Sequence, residues 1–106
     1  FSVNDLLIAV AIEKIKQSKG NIRISIISKE LFISESAFEK RFRKIVGTTP
    51  KRFAQIIRLR YVMEQIGRGA DFGELLYYDQ AHFIKEFKAL TGFTPKTYQK
   101  QNNPQE

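Results

Sequence analysis

Two short runs of this chain set polar and charged side chains at helical spacing opposite a phenylalanine stripe. In the first, Phe38, Phe42 and Ile45 recur with the period of a helix and form its expected inward face. Ser36, Glu39, Lys40 and Arg43 then fall on or near the opposite face, with Lys44 beside them. These residue types suit polar recognition. An ammonium such as Lys40 donates to guanine O6 or N7, and a carboxylate such as Glu39 accepts from cytosine N4. Arg43 and Lys44 suit phosphates, which set register without reading bases. Glu39 has a second role open to it, since Glu35, Glu39 and Arg43 also fit a salt-bridge ladder worth about 0.2–0.5 kcal/mol per pair. The second run is Gln80 to Lys88, with Phe83, Phe87 and Leu90 inward. Gln80 suits adenine N6 and N7, or is a plain polar residue of a first turn. His82 is the chain's 1 histidine and cysteine is absent, so neither a metal centre nor a catalytic triad is expected. It either contacts a partner or packs partly beside Phe83.

The rest of the sequence agrees with binding rather than catalysis. There is no nucleophile–base arrangement, no cluster of metal ligands and no glycine-rich phosphate loop. Asp71, Glu74 and Asp79 read as residues of helix starts, where carboxylates are favoured. No enzyme, cofactor or metal is expected. The formal net charge of +7 points to a polyanion, nucleic acid foremost. That charge is uneven: residues 21–47 carry six basic and three acidic side chains (net +3), residues 48–69 five and one (net +4), residues 70–98 three and four (net −1). The 106 residues, 42% of them hydrophobic, suffice for one small domain or two very small ones. No apolar run is long enough to span a membrane and no signal peptide is visible, and residue 1 is Phe. A fragment of a longer cytoplasmic protein is the expectation.

The elements that must position these residues are all helices. Asn4 to Ser18 carries Val3, Leu7, Val10, Ala11 and Ile15 as a stripe, and Leu6, Ile8 and Ile12 make it apolar on more than one face, which predicts deep burial. Ile24 to Phe32 follows, with Ile24, Ile27 and Leu31 inward. Ser34 caps a helix from Glu35 to Val46, and Gly47 stops it. Thr49-Pro50 opens a long helix to Ile66, with Phe53, Ile57, Val62 and Ile66 inward and Gly67-Arg68-Gly69 as its end. Asp79 caps a helix from Gln80 to Leu90, Gly92 ends it, and Thr94-Pro95 opens a last short helix to about Lys100.

The chain also repeats itself. Shifted by 45 residues (83 − 38 = 45), Phe38 falls on Phe83, Lys40 on Lys85, Phe42 on Phe87, Arg43 on Lys88, Gly47 on Gly92, Thr49 on Thr94, Pro50 on Pro95, Lys51 on Lys96 and Phe53 on Tyr98. Shared Phe, Gly and Pro follow from a shared packing problem. Shared exposed cations do not, because they pack no core. Each unit reads as a short helix, a tight turn and a capped helix with a polar face, the helix-turn-helix pattern. Two units joined by one long helix address two successive major-groove segments, about one DNA turn or roughly 34 Å apart.

Tyr78-Asp79-Gln80-Ala81-His82-Phe83-Ile84-Lys85-Glu86-Phe87-Lys88, followed by Gly92-Phe93-Thr94-Pro95 and Tyr98, resembles the second-unit signature of AraC/XylS-type bacterial transcription regulators. Ser34 to Phe53 and Arg58-Leu59 resemble that family's first unit and linker, so the likeness covers roughly residues 4 to 100. It implies an all-α, homeodomain-like fold of about seven helices. The implied organisation is a first unit over 1–48, a linker helix over 49–68, a second unit over 69–100 and a flexible tail over 101–106. It implies sequence-specific binding of double-stranded DNA and control of transcription, usually activation, with RNA polymerase as a partner and a sensor or signal-receiving domain upstream. Base-reading positions implied by the family are Ser36, Glu39 and Lys40 in the first unit and Gln80, Ala81, His82 and Lys85 in the second, with Lys88 toward phosphate. Arg58 and Arg60 either meet the backbone of DNA or tie the units together. Lys51 and Lys96 flank helix starts whose N–H groups themselves hold phosphate, or are solvated charges. A helical protein-interaction or RNA-binding module is the alternative, though the Phe residues sit at core spacing rather than as exposed stacking platforms.

One stretch departs from the family. From Asp71 to the cap Asp79 is eight positions (79 − 71), against eleven from Arg23 to Ser34 (34 − 23). Compared with the family's second unit, about four residues, roughly one helical turn, are absent between Leu75 and Tyr78, the turn glycine among them. Either the chain carries a deletion or the sequence as written omits residues there, and the intact signature from Asp79 to Tyr98 favours the second. Intact mass separates the two: 12.3 kDa for a deletion and a larger value for an omission.

Overall fold

The computed structural model describes residues 3–69 and 80–102. The shortened stretch around Leu75 to Tyr78, and the cap assigned to Asp79, lie outside the described residues. Six helices are described: α1 Val3–Gln17, α2 Ile24–Glu30, α3 Glu35–Val46, α4 Pro50–Gly67, α5 Gln80–Thr91 and α6 Pro95–Asn102, with no strand among the described residues. The chain divides into two compact units, Phe1–Arg58 and Leu59–Glu106, so α4 gives its first half to one unit and its second half to the other.

In the first unit the core is Ile8, Ala11 and Ile15 of α1, Ile27 of α2, Phe38 and Phe42 of α3, and Ala54 of α4. Partly buried Leu7, Ile12, Ile24, Leu31, Val46, Phe53 and Ile57 pack around it. Each fully buried Leu, Ile or Phe contributes about 1.5–3 kcal/mol relative to exposure. The deep burial expected of α1 holds for one face only. Leu6 and Val10 are 54% and 45% exposed, and Ile8 takes the core position expected of Val10. The reason is geometric: Ile8, Ala11 and Ile15 already form a row that faces α3, and a helix packed on one side cannot bury the opposite side. Ile45 is likewise exposed at 44%, and Val46 packs in its place.

α2 is shorter than expected. It stops at Glu30 because Phe32 turns left-handed (φ 57) and Ile33 N–H then donates to the carbonyl of Ser28. Phe32 is 97% exposed in that turn, and nothing in the described structure explains the choice of a phenylalanine there. The third helix has the ends that its residues predict. The Ser34 hydroxyl accepts from Ala37 N–H at 3.1 Å, and Gly47 leaves the helix left-handed at φ 96 with its N–H on the Arg43 carbonyl.

The second unit is built on the same plan. Val62 and Ile66 of α4 bury against Phe83 and Phe87 of α5, with Leu59, Tyr61, Met63 and Tyr98 around them. Three rings hold α3, and three hold α5. Phe38 meets Phe42 at 5.7 Å and 66°, and Phe42 meets Phe53 at 5.7 Å and 63°. Phe83 meets Phe87 at 5.9 Å and 52°, and Phe87 meets Tyr98 at 5.7 Å and 62°. The corner that follows is also repeated. Gly92 leaves α5 at φ 83 with its N–H on the Lys88 carbonyl, as Gly47 does on Arg43. Thr49 and Thr94 then accept from Arg52 and Thr97 N–H at 3.0 and 3.1 Å, and Pro50 and Pro95 are fully buried. α6 runs on through Asn102, two residues past the expected Lys100.

The exit of α1 runs close against the backbone of α4. Gly20 has φ 77, and a Cβ there would overlap the carbonyl oxygen of Ala54 and come within 2.7 Å of the backbone nitrogen of Arg58. Gly47 also has positive φ, but no atom lies within 4 Å of its ideal Cβ. Gly47→Ala should therefore cost only the left-handed penalty, about 1–2 kcal/mol. Gly20→Ala adds an overlap with helix backbone worth about 1–3 kcal/mol more. Urea midpoints of the two variants should fall in that order; equal losses would contradict the close approach.

Candidate nucleic-acid interface

The exposed face of α3 follows from its core. With Phe38 and Phe42 buried, Ser36, Glu39, Lys40, Arg43 and Lys44 are all exposed and line one open depression. Glu39 Oε1 lies 3.9 Å from Arg43 Nη1, the four-residue pairing expected of a ladder, and both side chains are more than half exposed. Such a pair is worth only a few tenths of a kcal/mol in water. It is therefore easily exchanged for contacts with a partner. Glu35 in the first turn and Arg43 and Lys44 in the last complement the helix dipole.

On α5, Ala81, His82, Lys85 and Lys88 are exposed, and the side chain of Gln80 lies outside the described ones. His82 Nε2 lies 2.9 Å from Glu86 Oε2, one helical turn on. Lys51, Arg60 and Lys96 are exposed. Lys51 and Lys96 each follow a buried proline at a helix start where the threonine hydroxyl already takes one N–H group.

Arg58 is set apart from the other candidates. It is 9% exposed, and its guanidinium donates to the side-chain oxygen of Asn21, in the turn after α1. Arg58, Asn21 and Gly20 all belong to the first unit, so this contact is part of the packing of that unit. Three exposed arginines outside the candidate set, Arg23, Arg41 and Arg52, add to the positive surface of the first unit. Their charge was visible in the sequence, but the helical wheel alone did not separate them from solvated residues. Arg41 corresponds to Glu86 and Lys44 to Ala89 under the 45-residue shift (86 − 41 = 45), which accounts for much of the charge difference between the units.

Among the described residues no helix is long and apolar enough to cross a membrane. A family model described as a helix-turn-helix domain, of the AraC type, matches residues 27–101, from the middle of α2 to the penultimate residue of α6. No curated protein and no solved structure matches the chain.

Arg58 and Arg60 should separate cleanly on substitution. Arg58→Ala should lower stability by about 1–3 kcal/mol, because it strips a partly buried polar network. Arg60→Ala should leave the urea midpoint unchanged. If Arg60 meets a phosphate, its loss reduces the salt slope of duplex binding by about one.

Proposed function

The chain belongs to the AraC-type helix-turn-helix family, and on that premise we propose that it reads two successive major-groove segments of double-stranded DNA, one with α3 and one with α5. DNA-binding transcription regulation is the property of the family, which is not an enzyme family. The finer reading is an activator that works with RNA polymerase in the cytoplasm and carries a sensor or signal-receiving domain upstream. The long helix over 49–68 serves as the linker between a first unit over 1–48 and a second over 69–100.

The observation that carries this reading is the duplicated ring geometry. Phe38–Phe42–Phe53 and Phe83–Phe87–Tyr98 repeat with centroid distances between 5.7 and 5.9 Å. A chain with one reader and one spacer has no reason to hold both helices in the same way. In the first unit Ser36, Glu39 and Lys40 take the bases, and Arg43 and Lys44 the phosphates. In the second, Gln80, Ala81, His82 and Lys85 face the bases, with Lys88 on phosphate. Lys51, Arg60 and Lys96 add phosphate contacts, and Arg58 acts through the packing of the first unit.

Fluorescence anisotropy across a salt series, with duplex DNA and duplex RNA in parallel, tests the proposal. Duplex DNA should bind, with a preferred sequence recoverable from a random pool. Absence of binding to any duplex DNA at low salt would overturn the reading, and equal binding of duplex RNA would point to the helical RNA-binding alternative. Because residues 70–98 carry net −1 against +3 for residues 21–47, the first unit should supply most of the electrostatic affinity. Lys40→Ala with Arg43→Ala should flatten the salt slope more than Lys85→Ala with Lys88→Ala; the reverse order would refute this ranking.

A further inference from the structure

The repeat allows the two reading faces to be compared position by position. Under the 45-residue shift (81 − 36 = 45), Ser36 corresponds to Ala81, Glu39 to Ile84, Lys40 to Lys85, Arg43 to Lys88 and Lys44 to Ala89. The five side chains on α3 are exposed and share one depression. Of their counterparts on α5, Ala81 and Ala89 are exposed and Ile84 is half-buried. The correspondence is one of geometry as well as sequence, because the ring contacts orient both helices alike: Phe42–Phe53 and Phe87–Tyr98 both lie at 5.7 Å, at 63° and 62°.

Ile84 is half-buried and stands outside the described core cluster of the second unit. The described side chains that pack around Phe83 and Phe87 are Leu59, Tyr61, Met63 and Tyr98, and Ile84 is not one of them. Nor does His82 present a free imidazole beside it, since the ring is engaged by Glu86 on its own helix at 2.9 Å. Where α3 offers a hydroxyl and a carboxylate, α5 therefore offers a methyl and a branched hydrocarbon.

That substitution changes what a base edge can give. A carboxylate at position 39 requires a donor such as cytosine N4, and Lys40 requires an acceptor such as guanine O6 or N7. Alanine and isoleucine side chains offer neither donor nor acceptor. The one apolar group on a major-groove edge is the C5-methyl of thymine. We infer that α5 reads thymine through its C5-methyl group, with Ala81 and Ile84 as the contact residues, while α3 reads its segment by hydrogen bonds. Lys85 faces the bases beside these two apolar contacts, and Lys88 serves position on phosphate. This rests on the proposed function, since it assumes that both helices enter the major groove.

The test uses a duplex selected from a random pool by the unaltered chain. Its two segments are assigned by which positions lose preference in Lys40→Ala. Thymines are then replaced by uracil, which removes the methyl and leaves every hydrogen-bonding group of the base. In the α5 segment each contacted methyl should be worth about fourfold in affinity. In the α3 segment the same replacement should change affinity by less than about twofold. Ile84→Glu should abolish the uracil sensitivity, and Ile84→Val should keep it. Uracil tolerance throughout the α5 segment, or sensitivity confined to the α3 segment, would overturn the inference while leaving duplex binding intact. Failure to select any duplex would instead overturn the proposed function itself.

Discussion

α3 and α5 are each held by a cluster of three aromatic rings at tilted to edge-on angles, and much of the packing follows from that constraint. Two rings come from α3 or α5 itself, four residues apart, and the third from the helix after it. Offset and T-shaped ring pairs gain about 0.5–1.5 kcal/mol beyond simple burial, and only over a narrow range of orientations. The stack thus sets rotation as well as depth. Once Phe38 and Phe42 are committed to the core, Ser36, Lys40 and Arg43 have no choice but to face outward. The third ring can reach only if the chain turns sharply after the reading helix. The left-handed glycine, the capping threonine and the buried proline supply that turn, at Gly47-Thr48-Thr49-Pro50 and again at Gly92-Phe93-Thr94-Pro95.

The same constraint leaves the outer faces free to differ. Nothing in the ring stack depends on residues 36, 39, 41 or 44, so the first unit carries Ser, Glu, Arg and Lys there and the second carries Ala, Ile, Glu and Ala. The core is duplicated closely and the surface loosely. Net charge moves to the first unit as a result, and the second presents the more apolar face. One buried cation breaks the pattern. Arg58 is drawn inward to the side chain of Asn21 and packs where Gly20 allows the exit of α1 to meet the backbone of α4. Its position in the chain looks like that of a surface arginine, and its work is to close the first unit.

Much of this was legible before the structure. Helices with a clear cap and a single apolar stripe were readable to the residue, as α3 shows from Ser34 to Gly47. The repeat was legible because its members include Gly, Thr and Pro at a corner, whose roles depend on backbone geometry rather than on neighbours. Legibility failed where periodicity was ambiguous. α1 is apolar on several faces, so its stripe could not be told from its exposed side, and Val10 and Ile8 exchanged roles. Ile45 sat at a correct spacing from Phe42 yet lies outside, because the core at that end of α3 is closed by Val46. The end of α2 was missed for a different reason. A phenylalanine with positive φ is uncommon, and an apolar residue after Leu31 extends the helical pattern on paper.

By itself the sequence determined the all-α class, the two units, the candidate reading residues and the uneven distribution of charge. These depend on local propensity, on spacing and on counting, and need no knowledge of what packs against what. Tertiary structure decided which apolar residues are core and which arginine is structural. It also showed that the two ring clusters are alike in spacing, and that Ile84 is half-buried while His82 is paired with Glu86. The physical reason is that burial belongs to pairs of surfaces. A side chain at the right period is buried only if another element arrives to cover it, and a cation leaves the surface only if a partner such as Asn21 waits inside to accept its hydrogen bond.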